Sequence, residues 1–285
     1  QPEKLNKKWS QIYLPKHHTM LKFRTSRPLP SKATGVTLKL LPSGEYQLSF
    51  TVQQEIKPRK TSGTVAGIDP GLSTLASVVK DDGSCYKIEN PKYYRSNQRK
   101  LSRADAALSR KQKGSKGYEK ARLARAKAHA KITRLRKDYI NKIAFKLASE
   151  NQAVSLEDLS IAVLKKSGLK GHGKAYSDVG LGLLKETLKS TCAREGADFE
   201  LVPAAGTTQG CAVCGKIGGP AGLEDLGIRE WICTGCKTLL DRDYNSGTMV
   251  LLAGGHSERL NEPGSRTRRI ELASASSNAM TVEGL

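Results

Sequence analysis

The chain has 285 residues, is 38% hydrophobic and carries a formal net charge of +21. That length suits one large domain or two smaller ones with a real core. A charge so lopsided calls for a polyanionic partner, most often a nucleic-acid backbone, with a membrane surface as the competitor; no apolar stretch approaches the roughly 18 residues of a spanning helix.

The first residues, QPEKLNKKWSQ, are polar and lack an apolar signal region, which argues against secretion. They also lack an initiator Met, which points to further residues upstream of Gln1. Residues 1 to about 60 read as β-structure. GVTLKLLPSGEYQLSFTV alternates Val36, Leu38 and Leu40, turns at Pro42-Ser43-Gly44, and alternates again through Tyr46, Leu48, Phe50 and Val52. The pattern predicts a hairpin with one buried face. EIKPRKTSG is a short basic linker and marks a boundary near residue 60.

Three strands follow, at 64–69, 75–80 and 85–89, the last two joined by Asp81-Asp82-Gly83 in an antiparallel meander. From about 95 to 149 the character changes. Residues 95–147 hold eighteen Lys or Arg against three acids. Gly114 and Gly117 break this stretch into two helices, and Ile132, Leu135, Tyr139, Ile140, Ile143 and Leu147 form an apolar stripe on the second. Some of these cations belong to a solvated face, but fifteen in excess point to nucleic-acid contact. A strand at 153–159, a Gly/Lys/Ser-rich loop at 165–177, a helix at about 179–195 and a strand at 198–204 come next. A cysteine-rich insert (207–240), a helix from Asp243 to about 253, and a polar tail with little to bury complete the chain.

Cys211, Cys214, Cys233 and Cys236 stand as C-x2-C-x18-C-x2-C. Two thiolates on one tight turn reach the same tetrahedral ion, and a second pair closes its coordination shell. The pattern predicts a zinc ribbon whose metal is structural; paired disulfides or redox dithiols are the weaker alternative. Cys85 and Cys192 fall on a strand and a helix and read as inert thiols.

Three acids stand at element ends. Asp69 closes the apolar run TVAGI before Pro70-Gly71, Glu157 ends AVSLE, and Asp243 opens the last helix in DRDYN. Each has an ordinary explanation, as a turn residue, an exposed strand end and a helix cap respectively. Asp158 points to the face opposite Glu157 if its strand is regular. Strand carboxyl ends gather at one edge of an α/β sheet. Three carboxylates there would repel one another unless bridged by cations, and two magnesium ions would do so while activating water against a phosphodiester.

Taken in order, GIDPG, the basic helical arm, SLEDL, TTQGCAVCG, WICTGC and DRDYN resemble the TnpB family of transposon-encoded proteins, relatives of the type V CRISPR effectors. The resemblance runs from about residue 10 to 253. It implies an α/β fold of the RNase H-like (RuvC) type: a mixed five-stranded sheet with a long basic helical insertion and a zinc-ribbon insert. Before it comes part of an oligonucleotide-binding-type wedge β-barrel. Implied divisions are the partial wedge at 1–60, the first RuvC part at 61–206 with its arm at 95–149, the ribbon at 207–240, the last RuvC helix at 241–254 and a flexible tail at 255–285.

By the same resemblance Asp69, Glu157 and Asp243 are the catalytic, magnesium-holding acids, with Asp241 a neighbour only. Cys211, Cys214, Cys233 and Cys236 hold structural zinc. The implied partners are a guide RNA and target DNA, double- and single-stranded, with base pairing reading the sequence; the implied setting is the cytoplasm, at a prokaryotic nucleoid. Two departures stand out. DYNSG replaces the family's D-x-N-A-A, placing Ser246-Gly247 where alanines would favour the helix. The chain also starts inside the wedge barrel, with a helical recognition lobe expected upstream.

The leading expectation is therefore an RNA-guided, metal-dependent DNA endonuclease. A non-cutting RNA-guided DNA binder is the alternative, disfavoured because all three acids are present. A DDE transposase would need the order Asp, Asp, Glu, and a junction resolvase would share the fold without the ribbon and arm.

Overall fold

The computed structural model describes residues 1–159, 180–221 and 224–255, together with 269, 273, 279 and 280. The loop expected at 165–177 and most of the polar tail lie outside these residues. The chain divides into two compact units: Gln1–Glu55 with Arg99–Lys131, and Ile56–Gln98 with Ile132–Leu285.

The first unit is antiparallel β-structure with helix. Strands β1 (Glu3–Lys4), β2 (Trp9–Leu14) and β3 (Thr19–Arg24) form one sheet, and β4 (Ala33–Leu40) pairs with β5 (Tyr46–Val52) as a hairpin. Hydrogen bonds leave the two sheets separate, while the Phe23 and Phe50 rings meet at 5.5 Å between centroids. The hairpin turns where its sequence indicates, with Gly44 at φ 77° closing it. Its alternating residues, however, are only partly buried. Val36 is 39%, Leu38 45% and Tyr46 70% exposed, while Leu48, Phe50 and Val52 are half-buried, Phe50 against Phe23.

Within the second unit, β6 (Thr64–Pro70), β7 (Thr74–Lys80) and β8 (Cys85–Glu89) are the antiparallel meander. Helix α1 (Tyr93–Ser96) leads into the basic arm, formed by α2 (Gln98–Ser109) and α3 (Lys116–Glu150). The break between α2 and α3 turns at Gly114, φ 86°; Gly117, expected to share in it, lies inside α3. In the first unit an Arg125–Asp105 ion pair joins α2 to α3.

Strand β9 (Asn151–Asp158) returns into the sheet parallel to β6, and after α4 (Leu181–Glu195) strand β10 (Asp198–Pro203) lies parallel to β9. The sheet order is β10-β9-β6-β7-β8, the five expected strands in mixed orientation. A further two-residue strand, Ala279–Met280, runs parallel to β8 within the stretch expected to be a flexible tail. Strands β11 (Glu230–Ile232) and β12 (Leu239–Asp241) pair inside the cysteine-rich insert, and α5 (Arg242–Ala253) follows. In this numbering Ala279–Met280 is β13.

Strand alternation divides the sheet chemically. Ala66, Ile68, Val154 and Leu156 face one way and join Ile140, Ile143 and Leu147 of α3 and Leu184 and Leu188 of α4 in the main core. Each such aliphatic side chain is worth about 1.5–3 kcal/mol when fully buried. On the other face Val65, Val79 and Ala153 pack against Tyr244 and Leu251 of α5. Helix α5 approaches very closely here. A Cβ on Gly67 would fall 2.4 Å from Gly247 O, and one on Gly254 would fall 1.8 Å from Ser155 Oγ. The Ser246-Gly247 pair, which costs helicity, is what lets the helix lie directly on β6 and β7.

Candidate active site and metal centre

Parallel pairing of β6 and β9 sets Ile68 opposite Leu156. The next residues, Asp69 and Glu157, therefore stand side by side at the ends of adjacent strands. By alternation both turn to the face that α5 covers. Antiparallel pairing continues the row, Asp69 opposite Ser77 and Ser77 opposite Lys87. Helix α5 then brings Asp243 down over the same edge.

The three acids are close enough to act on one another's charge. The Asp69 carboxyl is held well above its ordinary value of 3.8, first by burial, then by repulsion from Glu157 and a hydrogen bond shared with it, then by repulsion from Asp243. Like charges brought this close favour the neutral form of Asp69. Ser246, whose buried hydroxyl has no partner in good hydrogen-bond geometry, stands near enough to Asp69 to oppose the shift. Glu157, only 4% exposed, accepts a hydrogen bond from the Thr207 hydroxyl. Asp243 lies 2.9 Å from Lys87 Nζ and 3.6 Å from Arg229 Nη1. Burial works against the Lys87 charge, but Asp243 and then Asp241 outweigh it and raise its pKa.

Neighbouring acids have other work. Asp241 caps α5, accepting from the backbone N–H groups of Asp243 and Tyr244 at 2.9 Å each. Asp158 points away and pairs with Lys185 at 2.6 Å.

The four expected cysteines also converge. Their Sγ atoms all lie within 4.8 Å of one another, with Cys211–Cys236 at 3.7 Å and Cys214–Cys233 at 3.6 Å. Those separations are far too long for disulfides. They match the edge of a tetrahedron of thiolates about 2.3 Å from a zinc ion, which is about 3.8 Å. Both knuckles are built alike. Cys211 N–H donates to Lys216 O and Cys233 N–H to Thr238 O, each at 3.0 Å. Gly215 and Lys237, the residue after each knuckle's second cysteine, both have positive φ, 76° and 63°. Cys192 is wholly buried in the core, as expected of an inert thiol, and Cys85 is partly buried on β8.

Sequence reasoning missed Lys87, Thr207 and Ser246. Lys87 was within reach of it: alternation in CYKIE and the meander register place it on the Asp69 face. Thr207 carried no signal before the fold brought it to Glu157.

Two family models match parts of the chain. The OrfB_IS605 family, described as "Probable transposase", matches residues 47–168. The family described as "Cas12f1-like, TNB domain" matches residues 182–249. A Streptomyces pristinaespiralis protein named "Putative RNA-guided DNA endonuclease" is 35% identical over 246 residues, 86% of this chain and 59% of its own length. The Escherichia coli (strain K12) protein InsQ, of the same description, is 28% identical over 268 residues, 89% of this chain and 64% of its own. The chain thus spans about three fifths of these relatives. Among solved structures, the cryo-EM structure of the Cas12f1–sgRNA–target DNA complex aligns with a TM-score of 0.51 and 18% identity, covering 72% of this chain and 41% of that one. That likeness shows a shared fold. Residues 47–168 and 182–249 are thus similar to two families, OrfB_IS605 and the Cas12f1-like TNB domain.

Proposed function

We propose that this chain is a TnpB-type protein, the nuclease portion of a transposon-encoded, RNA-guided DNA endonuclease, and that Asp69, Glu157 and Asp243 hold its catalytic ions. The observation that carries the reading is the Asp69–Glu157 pair at adjacent strand ends, with Asp243 set over it by α5. Three carboxylates drawn together, with Asp69 pushed toward its neutral form by burial and by its neighbours, are a site that lacks positive charge. All-oxygen donors suit magnesium.

When bound, two divalent ions would supply an activated water and neutralise charge on the leaving oxygen of a phosphodiester. This chain's own residues do the rest. Asp69 and Glu157, fixed in the sheet, give the donor oxygens a rigid spacing, and Thr207 orients one Glu157 oxygen. Lys87 and Arg229 balance the charge of Asp243. Each would also lie near an incoming phosphate. The four thiolates close around a zinc with no open position, so that ion is structural.

The basic arm supplies sequence-independent phosphate contacts to guide and target, leaving base pairing to read sequence. On this reading the β-strands of residues 3–52 belong to the wedge barrel, and the protein works on DNA at the nucleoid. Sequencing the RNA that co-purifies with the protein identifies the guide. With that guide, a matched target and Mg²⁺, the wild type cuts, while Asp69→Ala binds guide and target but does not cut. Undiminished cutting by Asp69→Ala would overturn the site. Guided binding without cutting by the wild type would favour the non-cleaving alternative.

A further inference from the structure

The zinc ribbon touches the nuclease site at two points, and neither contact is needed to bind zinc. Thr207, four residues before Cys211, is 4% exposed and hydrogen-bonds through its hydroxyl to Glu157 Oε1. The same hydroxyl lies 3.1 Å from Ala204 O, its other possible acceptor. Asn245, two residues beyond Asp243, is completely buried. Its Oδ1 accepts from Ala212 N–H at 2.9 Å and its Nδ2 donates to Gly210 O at 2.8 Å. One amide side chain thus grips the backbone on both sides of Cys211. A turn with Gly210 N–H donating to Gly206 O at 2.9 Å connects the two contacts.

We infer that the ribbon is a positioning element of the nuclease site, and that the first zinc knuckle sets the Glu157 carboxylate through Thr207 and the Asp243 helix turn through Asn245. The inference rests on the nuclease reading above. A Cβ on Gly210 would fall 2.9 Å from Met249 Cε, so the knuckle rests against the Met249 side chain of α5. Four thiolates that hold Cys211 in place therefore hold Gly210 and Ala212 against Asn245, and the short turn carries that constraint to the Thr207 hydroxyl. Loss of zinc would release the knuckle and loosen two of the three acids at once, without altering any of them. Thr207 and Asn245 are positioning residues: they reach the reacting atoms through Glu157 and Asp243.

The test compares Thr207→Val, which keeps shape and loses the donor, with Thr207→Ser, which keeps the donor. Mn²⁺ binding to the whole chain is measured by electron paramagnetic resonance, zinc content by elemental analysis, and cleavage is followed in parallel. Thr207→Val is expected to keep its zinc and bind Mn²⁺ about 10- to 100-fold more weakly, the usual cost of losing a group that orients a metal ligand. Thr207→Ser is expected to restore binding to within about threefold of wild type. Stripping zinc from the wild type is expected to weaken Mn²⁺ binding as Thr207→Val does.

Mn²⁺ binding that Asp69→Ala abolishes but Thr207→Val and zinc removal leave unchanged would overturn this inference alone. Mn²⁺ binding indifferent to Asp69→Ala would overturn the nuclease reading and this inference with it. Asn245→Ala strands two buried backbone groups and is destabilised in any case, so the Thr207 pair decides the matter.

Discussion

Gly67→Ala tests how tightly the fold sets the site, because Gly67 precedes Asp69 by two residues and lies under the helix that carries Asp243. An added Cβ falls 2.4 Å from Gly247 O and 2.6 Å from both the Cβ and the N of Leu251. Ordinary contact begins at 3.4 Å, so the added methyl is too close by about 1 Å. Two of those three atoms are backbone, so no rotamer change relieves the clash; α5 has to lift from β6. Overpacking of this kind costs about 1–3 kcal/mol. In a unit of this size that lowers the melting temperature by about 2–4 °C per kcal/mol. Lifting α5 also moves Asp243 away from Asp69, and a misplacement of about 1 Å can cost about 100-fold in rate. Gly227→Ala, whose Cβ meets nothing within 4 Å, is the control. Thermal unfolding and guided cleavage, measured side by side, should both fall for Gly67→Ala and neither for Gly227→Ala. A Gly67→Ala protein that melts and cuts like the wild type would show that α5 has room to spare, and the close-packing argument would fail.

Asp69→Asn should separate stability from function. Burial, then Glu157 and Asp243, raise the folded-state pKa of Asp69 above its ordinary 3.8, so the folded, metal-free protein holds a proton there that the unfolded chain has lost. Its contribution to stability is full below 3.8 and is lost as pH rises through the raised value. In chelator at pH 8 the Asn variant should therefore melt above wild type, with a weaker pH dependence, while added Mg²⁺ should stabilise the wild type more; a variant that melts lower in chelator would contradict the charge argument. For the arm, replacing exposed Lys116, Lys120 and Lys127 with Ala should lower nucleic-acid affinity uniformly across sequences. The slope of log affinity against log salt should shrink by about 0.9 for each duplex phosphate that is no longer neutralised. An unchanged slope would show that these lysines only solvate the helix.

Much of the molecule was legible in its residues. The meander, the apolar stripe of α3, the two halves of the zinc site and three acids at element ends all follow from local patterning, because period, turn chemistry and ligand spacing are properties of short segments. Where those segments meet is not local. That Asp69 and Glu157 are neighbours depends on which strands pair in parallel and in what register. Gly247, which reads only as a weak helix residue, and Gly67 become necessary once α5 lies on β6. Val36, Leu38 and Tyr46 show the converse, an alternation that promises a buried face which the fold covers only in part, at Leu48, Phe50 and Val52. Sequence by itself determined the chemistry on offer: carboxylates, thiolates and a cationic arm. Tertiary structure alone decided that Thr207 and Asn245 would hold that chemistry in place, since a hydrogen bond forms wherever folding brings its two atoms together, whatever their separation along the chain.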